Sequence, residues 1–283
     1  MITRKQIKTE VEMMSALKSL VEVYEEVAAS RMQKVRGAVI QSRYFLEGLL
    51  DVFGKIKSSY TGQLKTRSLR PRNGKTVAVF VSANAGLYGD IVERIFGLFS
   101  DYVQREKPDV VVMGKLGVKM MTEKLPRILY NYYDFSDDEI DQESLQMVMR
   151  YLVQYEKVLV FYGKFRTILT QDPVVTSVTG DALVAQESRK VATVEVKYLF
   201  EPSVGDVARI FEGEILASIF EQTLHESQLA KFASRLMALD ASVDKIEDRW
   251  EDIGRELRRV ERREINNKQL STISGMSLWQ YGG

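Results

Sequence analysis

The strongest structural signal in this chain is a run near its C-terminus. Phe232, Leu236, Leu239, Val243, Ile246, Trp250, Ile253, Leu257 and Val260 follow one another in alternating steps of four and three. That spacing is a heptad seam, the pattern of a helix wound around another helix. The residues between are charged: Asp244, Lys245, Glu247, Asp248, Arg249, Glu251, Asp252, Arg255 and Glu256. No proline interrupts the run, and its one interior glycine is Gly254. A strict 3.5-residue period implies a left-handed supercoil. So narrow a seam cannot hold a lone helix, because ordering each residue costs about 1–2 kcal/mol of backbone entropy. The seam needs a partner.

The partner is expected at the other end of the chain. Ile7, Val11, Met14, Leu17, Val21, Tyr24, Ala28, Met32, Val35 and Val39 again step by threes and fours, and Leu46, Leu49, Phe53 and Ile56 continue less regularly. A helix of about 50 residues would be roughly 75 Å long at 1.5 Å per residue. The two terminal helices are expected to pair antiparallel. The division expected is 1–60 for the N-terminal coiled-coil helix, 61–200 for an α/β head and 201–283 for the C-terminal coiled-coil helix.

The middle of the chain reads as a small α/β domain. After a basic linker at 61–74, Thr76–Ala83 is a continuous apolar, β-branched run, the mark of a buried strand. A loop, SANAGLYGD at 82–90, leads to a helix from Ile91 to Arg105. Asp109–Met113 is a second buried strand, Gly114–Lys124 a short helix, and Ile128–Tyr133 a weaker strand. Asp137–Tyr155 opens with acidic residues, as a helix start should. Lys157–Tyr162 is the next strand. Phe165–Val178 and Val191–Leu199 read as a hairpin-like addition, with Val184–Ser188 unassigned between them. Pro202 breaks the chain, and Ser203 to Asp206 cap the last long helix. Strands alternating with helices predict a mainly parallel, Rossmann-like sheet.

Little here supports chemistry. Among 283 residues there is no cysteine and one histidine, His225, which excludes disulfides, thiolates and multi-histidine metal sites. A net charge of +1 gives no reason to expect nucleic acid. No apolar run reaches the roughly 18 residues of a membrane span, and the mixed charges of Arg4, Lys5, Lys8, Glu10 and Glu12 do not resemble a signal peptide. Asn73-Gly74-Lys75-Thr76 ends like a phosphate loop, but Leu69 stands where the first glycine belongs and the segment precedes a strand. Gly86-Leu87-Tyr88-Gly89 does lie between strand and helix, where a phosphate would sit, yet lacks the G-x-G-x-x-G spacing. Asp137, Asp138, Glu139 and Asp141 lack EF-hand spacing and are explained as an acidic helix start. Tyr130, Tyr132 and Tyr133 read as a half-buried strand rather than a base-stacking surface. No catalytic residue, cofactor or metal is expected.

From Tyr198 onward the sequence becomes specific. Phe200-Glu201-Pro202-Ser203, Glu226-Ser227 and Ser234-Arg235-Leu236-Met237-Ala238-Leu239-Asp240-Ala241 resemble segments of the γ subunit of F-type ATP synthases, and the resemblance covers essentially the whole chain. Val27-Ala28-Ala29-Ser30-Arg31 on the first helix, the Ser82–Gly89 loop and Lys157–Pro173 fall in the family's order. Two departures stand out. Tyr24-Glu25-Glu26 replaces the family's Met-Lys-Met, and Glu261-Arg262 replaces the Arg-Gln pair that holds a β-subunit loop. The resemblance implies a non-catalytic rotary central stalk, coupling a proton- or sodium-translocating membrane ring to catalysis in an α3β3 ring. It implies the α and β subunits, an ε-type subunit and the membrane c-ring as partners, with no membrane span of its own. It also implies peripheral attachment on the cytoplasmic face. Contacts to acidic β-subunit loops are expected from Arg258, Arg259, Arg262, Arg263 and Arg31. The rival expectations are a coiled-coil scaffold, a small α/β enzyme with a coiled-coil arm, and the shaft of an F1-like ATPase with another load.

Overall fold

The computed structural model describes residues 4–59, 73–178, 201 and 203–280. The expected linker at 61–72, the unassigned Val184–Ser188, the Val191–Leu199 strand, and Phe200 and Pro202 of the family segment lie outside the described residues. Contacts divide the chain into two units, Met1–Val27 with Ala238–Gly283, and Ala28–Met237.

The element order is α1 (Arg4–Ser59), β1 (Thr76–Val81), α2 (Ile91–Glu106), β2 (Asp109–Met113), α3 (Lys115–Lys124), β3 (Asn131–Tyr133), α4 (Gln142–Leu152), β4 (Lys157–Phe165) and β5 (Gln171–Ser177). Last comes the terminal helix, here α5 (Val204–Gln280). The strands form one sheet in the order β3-β2-β1-β4-β5. The first four pair in parallel, Val77 opposite Asp109 and Thr76 opposite Lys157. β5 closes one edge as an antiparallel hairpin on β4, Phe161 opposite Val175. The sheet is therefore mixed, and long helices at both termini flank it in sequence.

Strand alternation sends two sets of side chains to two faces. Val77, Val79 and Val81 of β1 join Val111, Val158 and Val160 on the face covered by α4, the Leu46–Phe53 turns of α1 and the Ile215–Leu224 turns of α5. Ala78 and Phe80 join Val110, Val112 and Phe161 on the face covered by α2 and α3. There Phe80 stacks on Phe99 at 5.1 Å between centroids, and Phe99 meets Phe161 edge-on at 5.4 Å. Each such buried ring is worth about 1.5–3 kcal/mol in transfer free energy. Leu229 and Phe232 of α5 belong to this second cluster, so α5 serves both faces of the sheet.

Several element boundaries differ from expectation, β5 for instance beginning at Gln171 rather than Phe165, and three of the differences have a clear local reason. α4 starts at Gln142 rather than Asp137, because Asp141 is its cap and accepts from the Ser144 backbone N–H at 3.0 Å. β3 begins at Asn131, and Leu129 just before it is 93% exposed. β4 runs on to Phe165, because its last residues pair with the start of β5. At the head of α5, Ser203 Oγ accepts from the Asp206 N–H at 3.1 Å and donates to its carboxylate at 2.7 Å, a reciprocal cap.

Candidate functional site

In the first unit, ion pairs join α1 and α5. Arg4 meets Glu261 at 2.9 Å and Glu264 at 3.8 Å, Glu10 meets Arg249 at 2.8 Å, and Lys18 meets Glu247 at 2.5 Å. Numbers rise along α1 as they fall along α5, so the helices are antiparallel. The seam residues lie between these pairs and beyond them along α5. Leu239, Ile246 and Ile253 are buried, while Val243, Trp250, Leu257 and Val260 are half-buried. Farther up the helix, Phe232 is buried and Leu236 half-buried.

The α1 side of the seam requires a correction. Leu17 and Tyr24, expected in it, are 41% and 47% exposed. Beside the half-buried Glu10 and Ser15, an unbroken four-three alternation of covered positions runs through Ile7, Val11, Met14, Lys18, Val21, Glu25 and Ala28. Two of them are charged, so a search for apolar residues steps past them. Lys18 fits because its stem lies along the seam while its ammonium reaches Glu247. That hydrogen bond holds the Lys18 pKa above its ordinary value.

Arg258, Arg259, Arg262 and Arg263 are exposed on α5, and none forms an ion pair among the described residues. From Arg262 to Ile273 every residue is exposed, including Ile265, Leu270 and Ile273. Glu264, Asn267 and Ser271 continue the seam spacing past Val260 as polar residues and fall in this stretch, and the Ser274 side chain lies outside the described residues. Arg31 is half-exposed and is engaged within the chain by Asp138.

In the second unit the side chains of α5 converge on one loop, the Ser82–Asp90 turn between β1 and α2. This is the C-terminal end of β1, next to the point where the strand order reverses between β1 and β4. In open α/β sheets that crevice is where ligands bind. Here the chain fills it with its own residues. Lys231 Nζ donates to the Ser82 carbonyl at 2.9 Å. Ser234 Oγ donates to the Tyr88 carbonyl at 2.8 Å, and Arg235 Nη2 to the Gly86 carbonyl at 2.7 Å. Positions 231, 234 and 235 share one helix face, which is why one helix grips three carbonyls. The Arg235 guanidinium also lies 3.8 Å from the Tyr88 ring centroid, a cation–π contact. The grip holds Leu87 at φ 66°, a left-handed conformation that costs a non-glycine residue about 1–2 kcal/mol. Gly114 (φ 93°) gives room alongside, since a Cβ there would lie 2.8 Å from the Ala83 carbonyl oxygen.

The loop between β3 and α4 completes the lock. Asp137 Oδ2 accepts the backbone N–H groups of Asn84 and Ala85 at 2.8 and 2.9 Å. Its Oδ1 meets Lys231 Nζ at 3.2 Å, with both side chains more than nine-tenths buried. Burial opposes the Asp137 charge, but the Lys231 ammonium and the two amides outweigh it and hold the carboxyl below its ordinary value. Burial also pulls Lys231 down from the lysine range, and Asp137 works against that. The neighbours of Asp137 reach α1: Asp138 pairs with Arg31, and Glu139 with Lys34 at 2.5 Å. Three consecutive carboxylates, read from sequence as an acidic helix start, thus clamp α1, α5 and the β1–α2 turn. Glu226 of the family-like Glu-Ser pair bonds to Arg43 of α1 at 2.6 Å and to Tyr162 of β4 at 3.4 Å. The phosphate-loop look-alike has a structural role too, with Lys75 facing Asp109 at 3.6 Å.

Comparison with known proteins agrees with this architecture. The family described as ATP synthase matches residues 3–277. The ATP synthase gamma chain of Protochlamydia amoebophila is 22% identical over 284 residues, covering 97% of this chain and 98% of its own. That of a Roseiflexus species is 23% identical, covering 97% and 98%. Among solved structures, a chain of the Euglena gracilis mitochondrial ATP synthase (OSCP/F1/c-ring, rotational state 3) superposes with a TM-score of 0.67 at 13% identity, covering 99% of this chain and 95% of that one. A chain of the central stalk/c-ring of Tetrahymena thermophila mitochondrial ATP synthase gives 0.58 at 16% identity, covering 79% and 99%. At these identities the structural likeness is one of fold.

Proposed function

The chain belongs to the ATP synthase gamma-chain family, and from that premise we propose that it is the rotary central stalk of an F-type ATP synthase. It is a non-catalytic subunit. The observation that carries this reading is the family match across residues 3–277, joined to an antiparallel, ion-paired helix seam. A shaft must transmit torque without unwinding, and a heptad seam with cross-helix ion pairs resists that. Its partners are the α and β subunits of an α3β3 ring, an ε-type subunit and a membrane c-ring. As the shaft turns, each β subunit meets a different face of it. That differential contact shifts the β subunit between conformations.

Arg258, Arg259, Arg262 and Arg263 are proposed as the charged contacts to acidic β-subunit loops. Their exposure and lack of internal partners among the described residues support this. Arg31 is proposed as a fifth contact, sharing its charge with Asp138. No helix among the described residues is long and apolar enough to cross a membrane. Attachment is peripheral through the complex, on the cytoplasmic face.

The test is a pull-down of the tagged chain from its native cells, with partners identified by mass spectrometry. Recovery of α- and β-type subunits with a membrane ring protein is expected. Recovery of α and β alone would point to a motor with another load, and recovery of neither would overturn the reading.

A further inference from the structure

The β1–α2 turn has the chemistry of an anion site, although no free anion is needed to hold it together. Two backbone N–H groups, of Asn84 and Ala85, point at one oxygen of Asp137. The buried Lys231 ammonium meets the other. Successive amides turned onto one oxyanion beside a buried cation are how parallel α/β folds hold a phosphate group. The position agrees, since the turn follows β1 at the carboxyl edge of the parallel strands. The donors also exceed what Asp137 can use. Lys231 and Arg235 both donate into this one turn, to the Ser82 and Gly86 carbonyls, so two cations face it against one carboxylate. Ser82 Oγ and Arg235 Nε are buried with no hydrogen-bond partner among the described residues. A cavity of about 20 Å³, lined in part by Ser82, Ser136, Gln228 and Lys231, adjoins the seat.

We propose that the β1–α2 turn, with Lys231 and Arg235, is a tetrahedral-oxyanion site that the chain keeps closed with its own Asp137 carboxylate. The ligand class is inorganic phosphate or sulfate, whose charge matches the two cations better than a single carboxylate does. In the native chain Asp137 occupies the seat as a tethered anion at high local concentration, so free phosphate does not compete. The acidic segment 137–139 is then a built-in ligand whose grip also anchors α1 through Asp138–Arg31 and Glu139–Lys34. This accounts for a chain with a phosphate-type turn in the right place and no nucleotide-binding fingerprint.

The test is phosphate binding by the full-length chain with the tethered anion removed. Asp137→Ala is titrated with inorganic phosphate by calorimetry and melted in phosphate against chloride at matched ionic strength. Expected is saturable binding of one phosphate per chain, with a rise in melting temperature beyond that of the wild type in the same buffers. The wild type is expected to show no saturable site, and Asp137→Ala with Lys231→Met to lose it. A folded Asp137→Ala chain without saturable phosphate binding overturns the proposal. Asp137→Asn keeps the side-chain volume and is the variant titrated if Asp137→Ala is insoluble; phosphate then displaces a neutral amide, and absence of binding counts equally against the site. If neither variant folds with or without phosphate, no exogenous anion can replace Asp137, and the proposal fails.

Discussion

Lys231 and Asp137 stand 94 residues apart in sequence and meet at 3.2 Å inside the protein. Their side chains are only 5% and 9% exposed. Each is the reason the other can be buried charged: the ammonium donates to the carboxylate and to the Ser82 carbonyl, and the carboxylate takes two further amides. The pair ties the acidic loop and α5 to the β1–α2 turn, and with it to the sheet.

Breaking the pair from one side should therefore be costly. Lys231→Ala leaves a buried carboxylate without its cation, and loss of one partner of a buried pair costs about 3–5 kcal/mol. Equilibrium urea unfolding of the full chain measures this. A midpoint within error of the wild type would show that the pair contributes nothing.

Acid should release the same lock. The folded pKa of Asp137 lies below its ordinary 3.8. Its stabilisation is thus fully present above pH 3.8 and is lost as pH falls through the lower, folded value. Melting temperature recorded from pH 6 downward should drop on that limb, and Asp137→Asn should flatten the drop. A variant as acid-sensitive as the wild type would assign the effect to other carboxylates.

The seam register has its own test. Leu239→Asp puts an unpaired charge at a buried seam position and should cost several kcal/mol. Leu17→Asp changes an exposed residue and should stay within about 0.5 kcal/mol. Lys18→Leu extends the apolar stripe past one of its two charged positions and should raise the urea midpoint. Leu17→Asp as damaging as Leu239→Asp would return Leu17 to the seam.

Deletion of the segment after Val260 separates folding from coupling. The residues from Arg262 to Ile273 are exposed, and the exposed pairs of Arg4 with Glu261 and Glu264 that go with the segment are worth at most about 1 kcal/mol each, so the shortened chain should melt close to the full one while coupled ATP synthesis by the assembled complex falls. Replacing Arg258, Arg259, Arg262 and Arg263 with glutamate should lower coupling in the same way. Synthesis at full rate in both variants would remove the proposed β-subunit contacts.

Much of the fold was legible because its signals are local. The heptad period of α5 survives in Leu239, Ile246 and Ile253 because a two-helix seam demands apolar residues at fixed steps. The β-branched runs of β1, β2 and β4 announce strands buried on both faces. The α1 seam was misread at Leu17 and Tyr24 because Lys18 and Glu25 hold the geometric positions. A lysine stem can line a seam when a carboxylate from the other helix receives its head, and no local rule reports that carboxylate. Asp137 was misread for a similar reason. Acidic residues before a helix usually answer its dipole, and here Asp141 alone caps α4 while Asp137 serves a lysine on α5.

Periodicity along the chain was enough to settle where most helices and strands lie among the described residues, and that the terminal helices need partners. Those properties depend on neighbours within a few turns or a few strand residues. Which charges meet was settled when distant segments came together. The turn that resembles a phosphate loop in position is filled by Asp137, Lys231 and Arg235, drawn from a loop and a helix on either side of β4 in sequence. Folding had to bring all three to one place before the cost of burying each charge could be offset by the others, and a pairing of that kind leaves no period in the sequence to read.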